Sequence, residues 1–191
     1  AVSVIDRPEA EDEPMREIYT GEDKTIEEVC ARLNIPASRT VKAVVYAVKG
    51  DSDELVVAFI RGDLEVNEAK LKKVLGKNVV AYDGGISEDI VCGNIGAIGL
   101  SDKIVKVFDK SLEGCKGMVT GANKPEYHIA GVNVARDFGD VTFVDVAKAA
   151  AGHRCPVCGG TLRVENGIEI GNIFQLGTKY TASMNMTVNG P

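Results

Sequence analysis

Val41-Lys42-Ala43-Val44-Val45-Tyr46-Ala47-Val48, then Lys49-Gly50-Asp51-Ser52-Asp53, then Glu54-Leu55-Val56-Val57-Ala58-Phe59-Ile60-Arg61, is the stretch on which the fold turns. Two runs rich in β-branched and aromatic residues, joined by a polar segment with one glycine, predict a hairpin with a slightly long loop. Upstream, Thr25-Ile26-Glu27-Glu28 is a capping box, with Thr25 as N-cap and Glu28 reaching back to it. Ile26, Val29, Cys30 and Leu33 then recur at helical spacing, and Asn34 with Pro36 ends the helix. Downstream, Asn67 caps a second helix carrying Leu71, Val74 and Leu75, with Gly76 as its left-handed stop. Residues 79–82 read as a short strand, and Ser87 as the cap of a helix ending at Cys92. Residues 104–108, 127–133 and 141–144 complete the expected strands. Helices interspersed with hairpins, without regular βα units, predict an α+β fold rather than a doubly wound one. Its sheet should be mixed but mostly antiparallel, with flanking helices.

Composition bounds the partners. In 191 residues, 45% hydrophobic but without Trp, the core must come from Val, Ile, Leu and Ala. A net charge of −6 argues against an autonomous nucleic-acid binder, which needs a surplus of cations to displace counterions. Any nucleic-acid contact must be local. Five cysteines without a disulfide framework suit a reducing compartment, so a cytoplasmic location is expected. No apolar run reaches the roughly 20 residues of a membrane span, and no signal peptide is visible at the N-terminus.

Four places carry candidate chemistry. Lys42 interrupts an apolar strand, so it either faces solvent, the simpler reading, or aims an ammonium at a phosphate or carbonyl. The loop Gly93-Asn94-Ile95-Gly96-Ala97-Ile98-Gly99 can bring backbone N–H groups close to a ligand, although a tight structural turn explains its glycines equally well. It has neither the Lys-Ser/Thr ending of a P-loop nor the spacing of a dinucleotide fingerprint. Gly121-Ala122-Asn123 leads into a segment bearing His128, one of two histidines. That residue could act on a hydroxyl or simply hydrogen-bond in the core, the commoner fate of a lone histidine. Asp109 could orient it or start a turn.

Cys155-Pro156-Val157-Cys158-Gly159-Gly160 is half of a zinc-ribbon knuckle. Structural zinc needs four ligands, so Cys155 and Cys158 read as a half-site whose partner lies outside this chain. His153 is badly spaced to be a third ligand. Without a βα arrangement around the pair, thioredoxin-type redox chemistry is not expected. Cys30, Cys92 and Cys115 are scattered and read as plain core thiols.

The order of these features is more specific than any one of them. Thr25-Ile26-Glu27-Glu28-Val29, Thr40-Val41-Lys42, Arg61-Gly62-Asp63, Val66-Asn67-Glu68-Ala69-Lys70-Leu71, the glycine loop, Asp109-Lys110-Ser111, Gly121-Ala122-Asn123, His128 and Arg136-Asp137 succeed one another. That succession resembles the inserted, YbaK-like editing domain of bacterial-type prolyl-tRNA synthetases. Gly167-Ile168-Glu169-Ile170-Gly171-Asn172-Ile173-Phe174-Gln175-Leu176-Gly177-Thr178-Lys179-Tyr180 resembles the segment by which those enzymes re-enter their class II catalytic domain. The resemblance covers about residues 21–180.

It implies a partly barrel-like α+β editing fold and hydrolysis of mischarged alanyl-tRNA(Pro). Lys42 would hold the 3′-end phosphates, and His128 the terminal ribose or aminoacyl group. Gly93, Gly96, Asp109 and Asn123 would contribute to substrate binding. A water assisted by the substrate's own ribose hydroxyl would replace any protein nucleophile. Ala97 departs from the proline usual in the bacterial relatives.

The same resemblance divides the chain into a linker (1–20), the inserted domain (21–150) and a return to the catalytic domain (151–191). Editing itself would need no cofactor. ATP and magnesium, and a structural zinc, would belong to the parent synthetase, expected as a homodimer. The class II motifs that bind ATP and proline are not evident, so this chain should not charge tRNA. Two other readings stand beside this one: a non-catalytic insertion that binds tRNA or stabilises its parent, and a zinc-ribbon adaptor.

Overall fold

The computed structural model describes residues 2–82 and 90–187. Along the chain run β1 (Arg16–Tyr19), α1 (Ile26–Leu33), β2 (Val41–Val48), β3 (Asp51–Arg61), α2 (Glu68–Leu75) and β4 (Val79–Ala81). There follow β5 (Val105–Asp109), β6 (Met118–Gly121), β7 (Tyr127–Val132), α3 (Val134–Asp137), β8 (Phe143–Val144) and α4 (Lys179–Ser183). Five strands form one sheet in the order β4-β2-β3-β5-β8, and three form another in the order β1-β7-β6. Strand β3 pairs in parallel with β5, and β5 with β8, whereas the other four pairings are antiparallel. The fold is therefore α+β with mixed sheets, mostly antiparallel, as the sequence suggests.

Strand β3 is the centre of the molecule. Residues 55–61 are all buried, because each face of the strand meets a different cluster. Val57 and Phe59 pack with Leu112, Met118 and Val132, and the Phe59 ring stacks on Phe108 with centroids 5.3 Å apart. Val56 and Ala58 pack with Leu71, Val79 and Val146 on the opposite side. A strand covered on both faces reads as one continuous apolar run, which is what the sequence of β3 is. Arg61 ends it, buried but satisfied: its guanidinium donates to both Asp63 carboxylate oxygens (2.6 and 2.7 Å) and to the Asp6 carbonyl.

Four local details differ from the sequence reading. The β2–β3 connection is a two-residue turn at Lys49-Gly50, not a long loop, and a register irregularity lies between Ala47 and Val48. The last residues of the segment read as a linker form β1, which pairs Ile18 with His128 on β7. Met118–Gly121, read as no element, is β6. Cys115 is buried and Cys30 half-buried, but Cys92 is exposed rather than a core thiol. The helix expected after Ser87 lies for the most part outside the described residues.

The other two helices read from the sequence form with the caps expected. Thr25 accepts from Glu28 N while Glu28 accepts from Thr25 N, and Asn34 closes α1 in the left-handed region at φ 52°. The Asn67 side chain accepts from Lys70 N, and Gly76 ends α2 at φ 67°. Beyond residue 150 the chain is different in kind. Ile168, Ile170 and Ile173 are more than 90% exposed, so among the described residues nothing covers their apolar surface.

Candidate functional site

The two sheets meet where Thr40, at the start of β2, makes a parallel bridge to Val119 of β6. Beside that junction opens a cleft of about 380 Å³. Lys24, Thr25 and Val29 line it from the α1 side, Thr40 to Ala43 from β2, Gly93 and Ile95 from the glycine loop, and Val119, Gly121 and His128 from the small sheet. Lys42, Gly93 and His128, separated widely in sequence, thus share one cavity. Gly62, which follows β3, completes the floor beside Thr40; a Cβ there would stand 1.9 Å from Thr40 Oγ1.

The glycine loop is clamped from outside the cleft. Asn123 Oδ1 accepts from Gly96 N (2.9 Å), and its Nδ2 donates to the Gly96 and Ile98 carbonyls (3.0 and 2.8 Å). Asn123 N also donates to the Asn94 carbonyl (2.8 Å). The amide therefore positions the loop rather than facing the cavity. Gly96 is pressed against the end of β6, so that a Cβ on it would lie 1.8 Å from the Gly121 carbonyl oxygen. Its role too is close approach, since Gly93 and Ile95 of the loop line the cavity and Gly96 is not among the lining residues.

Lys42 and His128 face the cavity in different states. Lys42 Nζ donates to Glu65 Oε1 at 2.9 Å, with the Lys side chain 21% exposed and the Glu side chain 76% exposed. A pair so open to water is weak and exchangeable. His128 is buried, with Nδ1 2.8 Å from Thr20 Oγ1, whose hydroxyl also lies 3.2 Å from the Glu126 carbonyl. The single hydroxyl proton serves one of these acceptors, and the choice fixes which imidazole nitrogen carries hydrogen. Burial holds the His128 pKa below its usual 6.5, against the pull of the Asp23 carboxylate. The ring is neutral at neutral pH.

That depression has a measurable consequence. Above pH 6.5 His128 is neutral in both the folded and unfolded states. Below it the unfolded chain takes up a proton that the folded site resists, so stability falls as pH drops from 6.5 through the folded pKa. The lowered carboxylates Asp23, Glu28 and Asp137 act only at still lower pH. The melting temperature is accordingly expected to drop between pH 7 and pH 5, and His128→Gln should flatten that slope. An equal slope in the variant would exclude His128 as its source.

Asp109 stands apart. Its carboxylate is buried and accepts from Ser111 N (2.8 Å), Val146 N (2.8 Å) and Ala147 N (2.9 Å). It ties the end of β5 to the chain leaving β8 and is not among the residues lining the cleft. Thr20 is the residue that sequence reading passed over: it lies in a stretch without pattern, and only its buried bond to His128 marks it.

Cys155 and Cys158 lie on a separate knuckle, joined to the N-terminal segment by the bridge between Val4 and Arg154. Cys155 N donates to the Gly160 carbonyl (2.8 Å), and Gly159 N to the Cys155 carbonyl (2.9 Å). Hydrogen bonds to its sulfur from the backbone of Cys158 and Val157 and from the Cys158 thiol hold the Cys155 thiol below its ordinary range. His153 Nδ1 is engaged by Ser3 Oγ (2.9 Å) and Ala150 N (3.2 Å). Among the described residues no group of three His, Cys, Asp or Glu could hold a metal ion.

Known proteins resemble this chain in sequence and fold. Residues 20–138 match the family described as the aminoacyl-tRNA editing domain. Proline–tRNA ligase of Aquifex aeolicus is 41% identical over 187 residues, which is 94% of this chain and 32% of that protein. Proline–tRNA ligase of Campylobacter concisus is 39% identical over 191 residues, 97% of this chain and 33% of that protein. The chain thus spans about a third of the length of these curated relatives. A crystal structure titled as a candidate trans-editing enzyme for prolyl tRNA synthetase superposes with a TM-score of 0.55 at 11% identity, covering 71% of this chain and 87% of the other. A hypothetical protein superposes at 0.57 and 20% identity, over 71% and 92%. At such identities the likeness is one of fold. The match over residues 20–138 places this chain in the aminoacyl-tRNA editing domain family.

Proposed function

We propose that this chain is the editing portion of a proline–tRNA ligase and hydrolyses the ester of mischarged alanyl-tRNA(Pro). The observation that carries this reading is the cleft itself, with an ammonium, a neutral imidazole and a glycine loop on its walls. Val29, Val41, Ile95 and Val119 supply apolar wall beside those groups. Such a cavity suits a small aliphatic side chain attached to a polar, anionic carrier.

The chemistry asks for little machinery. Ester hydrolysis needs a held water, a stabilised carbonyl oxygen and a fixed 3′-terminal nucleotide. Lys42 takes the phosphate charge, exchanging its exposed partner Glu65 for the ligand. His128, fixed by Thr20, positions the terminal ribose or aminoacyl group, and the water is assisted by the ribose hydroxyl of the substrate. Discrimination against proline comes from exclusion. A synthetic site selecting proline cannot reject alanine strongly, because each missing methylene is worth only about 1–3 kcal/mol. A second cavity too small for a pyrrolidine ring supplies the rest.

The remaining assignments follow from that parentage. The exposed apolar residues of the tail, Ile168, Ile170, Ile173 and Phe174 among them, would pack on other parts of a longer enzyme that also binds ATP and the tRNA body. The Cys155–Cys158 knuckle would serve as half of a zinc site there. The test is deacylation of alanyl-tRNA(Pro) by this chain: hydrolysis well above the buffer rate is expected. A rate equal to buffer, with tRNA still bound, would favour a non-catalytic tRNA-binding insertion.

A further inference from the structure

We propose that Lys24 is a second phosphate-binding residue of the cleft, capturing the 3′-terminal phosphodiester of the substrate alongside Lys42. The inference rests on the deacylase reading above and adds to it a residue outside the sequence pattern.

Lys24 lines the same cavity as Lys42, Gly93 and His128. Its root is rigid, because Lys24 N donates to Glu28 Oε2 (3.0 Å) within the cap of α1. Its stem lies across the glycine loop: a Cβ on Gly93 would stand 2.7 Å from Lys24 Cγ and 2.9 Å from Lys24 Cβ. The bare glycine, at φ 86°, lets the aliphatic stem rest on the loop, and Lys24 is exposed to water where it lines the cleft.

Of the two lysines that line the cleft, Lys24 is the one without a carboxylate partner among the described residues. Lys42 is paired with Glu65, Lys70 with Asp145, Lys77 with Glu54, Lys106 with Asp102 and Lys124 with Glu17. Among the described residues no carboxylate pairs with the Lys24 ammonium. Two nearby acids are occupied: Asp23 is bound by Arg32, and Glu28 accepts from the backbone of Lys24 and Thr25. Glu27 also lines the cavity, but among the described residues no ion pair joins it to Lys24. In a protein of net charge −6, attraction for a polyanion has to be concentrated locally. A cation on the cleft wall, without an ion-pair partner among the described residues, does that before Glu65 releases Lys42.

The test compares wild type with Lys24→Gln, which keeps the stem and removes the charge. For alanyl-tRNA(Pro), KM should rise about tenfold while kcat stays within about twofold, as for a lost charge-assisted contact. The dependence of log KM on log salt should become shallower by about 0.7, the contribution of one phosphate on a single strand. Lys24→Arg should restore both, and the melting temperature should not move. Unchanged KM and salt slope in Lys24→Gln would overturn the proposal while leaving the deacylase reading intact. Should the wild type not deacylate, binding of adenosine 5′-monophosphate against adenosine decides by itself. Wild type is expected to prefer the phosphorylated ligand about tenfold and Lys24→Gln to lose that preference; equal preference in both proteins would overturn it.

Discussion

Gly96→Ala is expected to cost about 3 kcal/mol of stability and to abolish deacylation. The added Cβ would meet the Gly121 carbonyl oxygen at 1.8 Å and its carbon at 2.7 Å, both backbone atoms that cannot swing aside. The partner is equally bare: a Cβ on Gly121 would lie 2.2 Å from the Asn94 carbonyl oxygen. Loop and strand therefore touch glycine to glycine. Asn123 holds both the N–H and the carbonyl of Gly96, so relief requires breaking that clamp as well. Displacement of the loop would carry Ile95 and Gly93 out of the cavity wall. Gly171→Ala, in open space, is the control and should change stability by less than about 0.5 kcal/mol. Chemical denaturation of the two variants checks the contrast; equal stabilities would mean that the loop is not packed as described.

Lys42→Ala should separate function from folding in the opposite sense. Its ion pair with Glu65 is open to water, so removal should cost under about 1 kcal/mol. The charge it brings to the cleft matters far more: loss of one preorganised electrostatic contact typically lowers rates about 100-fold or more. Deacylation of alanyl-tRNA(Pro) by Lys42→Ala should fall by at least that factor with the melting temperature nearly unchanged. Glu65→Gln should be neutral or favourable, since it frees the ammonium. Retention of full activity by Lys42→Ala would remove this residue from the mechanism.

Much of the fold was legible because its signals are local. The capping box of α1, the Asn67 and Gly76 ends of α2, and the apolar runs of β2 and β3 each follow from a few neighbouring residues. Strand β6 was not, because Met118–Gly121 has a glycine just before it and another at its end and looks like a turn. What makes it a strand is β7, brought beside it from the far side of another turn. Strand β1 was hidden for a related reason: Arg16 and Glu17 are exposed at a sheet edge, leaving Ile18 as its sole apolar contact with the interior. The Lys49–Asp53 segment looked like a loop by composition, yet pairing with β2 draws Asp51 into the strand.

The site was legible only through residue order. Nothing local in Lys42 or His128 separates a cleft residue from a solvated or core one; the bridge between Thr40 and Val119 brings them together. Asp109 and Asn123 illustrate the limit. The resemblance implies substrate binding for both, and both spend their side-chain hydrogen bonds on backbone, one behind β5 and the other under the glycine loop. Thr20 carries the reverse lesson, since a lone threonine in an acidic stretch announces nothing until His128 is placed against it.

The most direct measurement compares hydrolysis of alanyl-tRNA(Pro) with that of prolyl-tRNA(Pro) by the same preparation of this chain. A cavity that works by exclusion predicts hydrolysis of the alanyl ester at least about 100-fold faster than of the prolyl ester. Equal rates for the two esters would contradict the account, whatever the absolute activity.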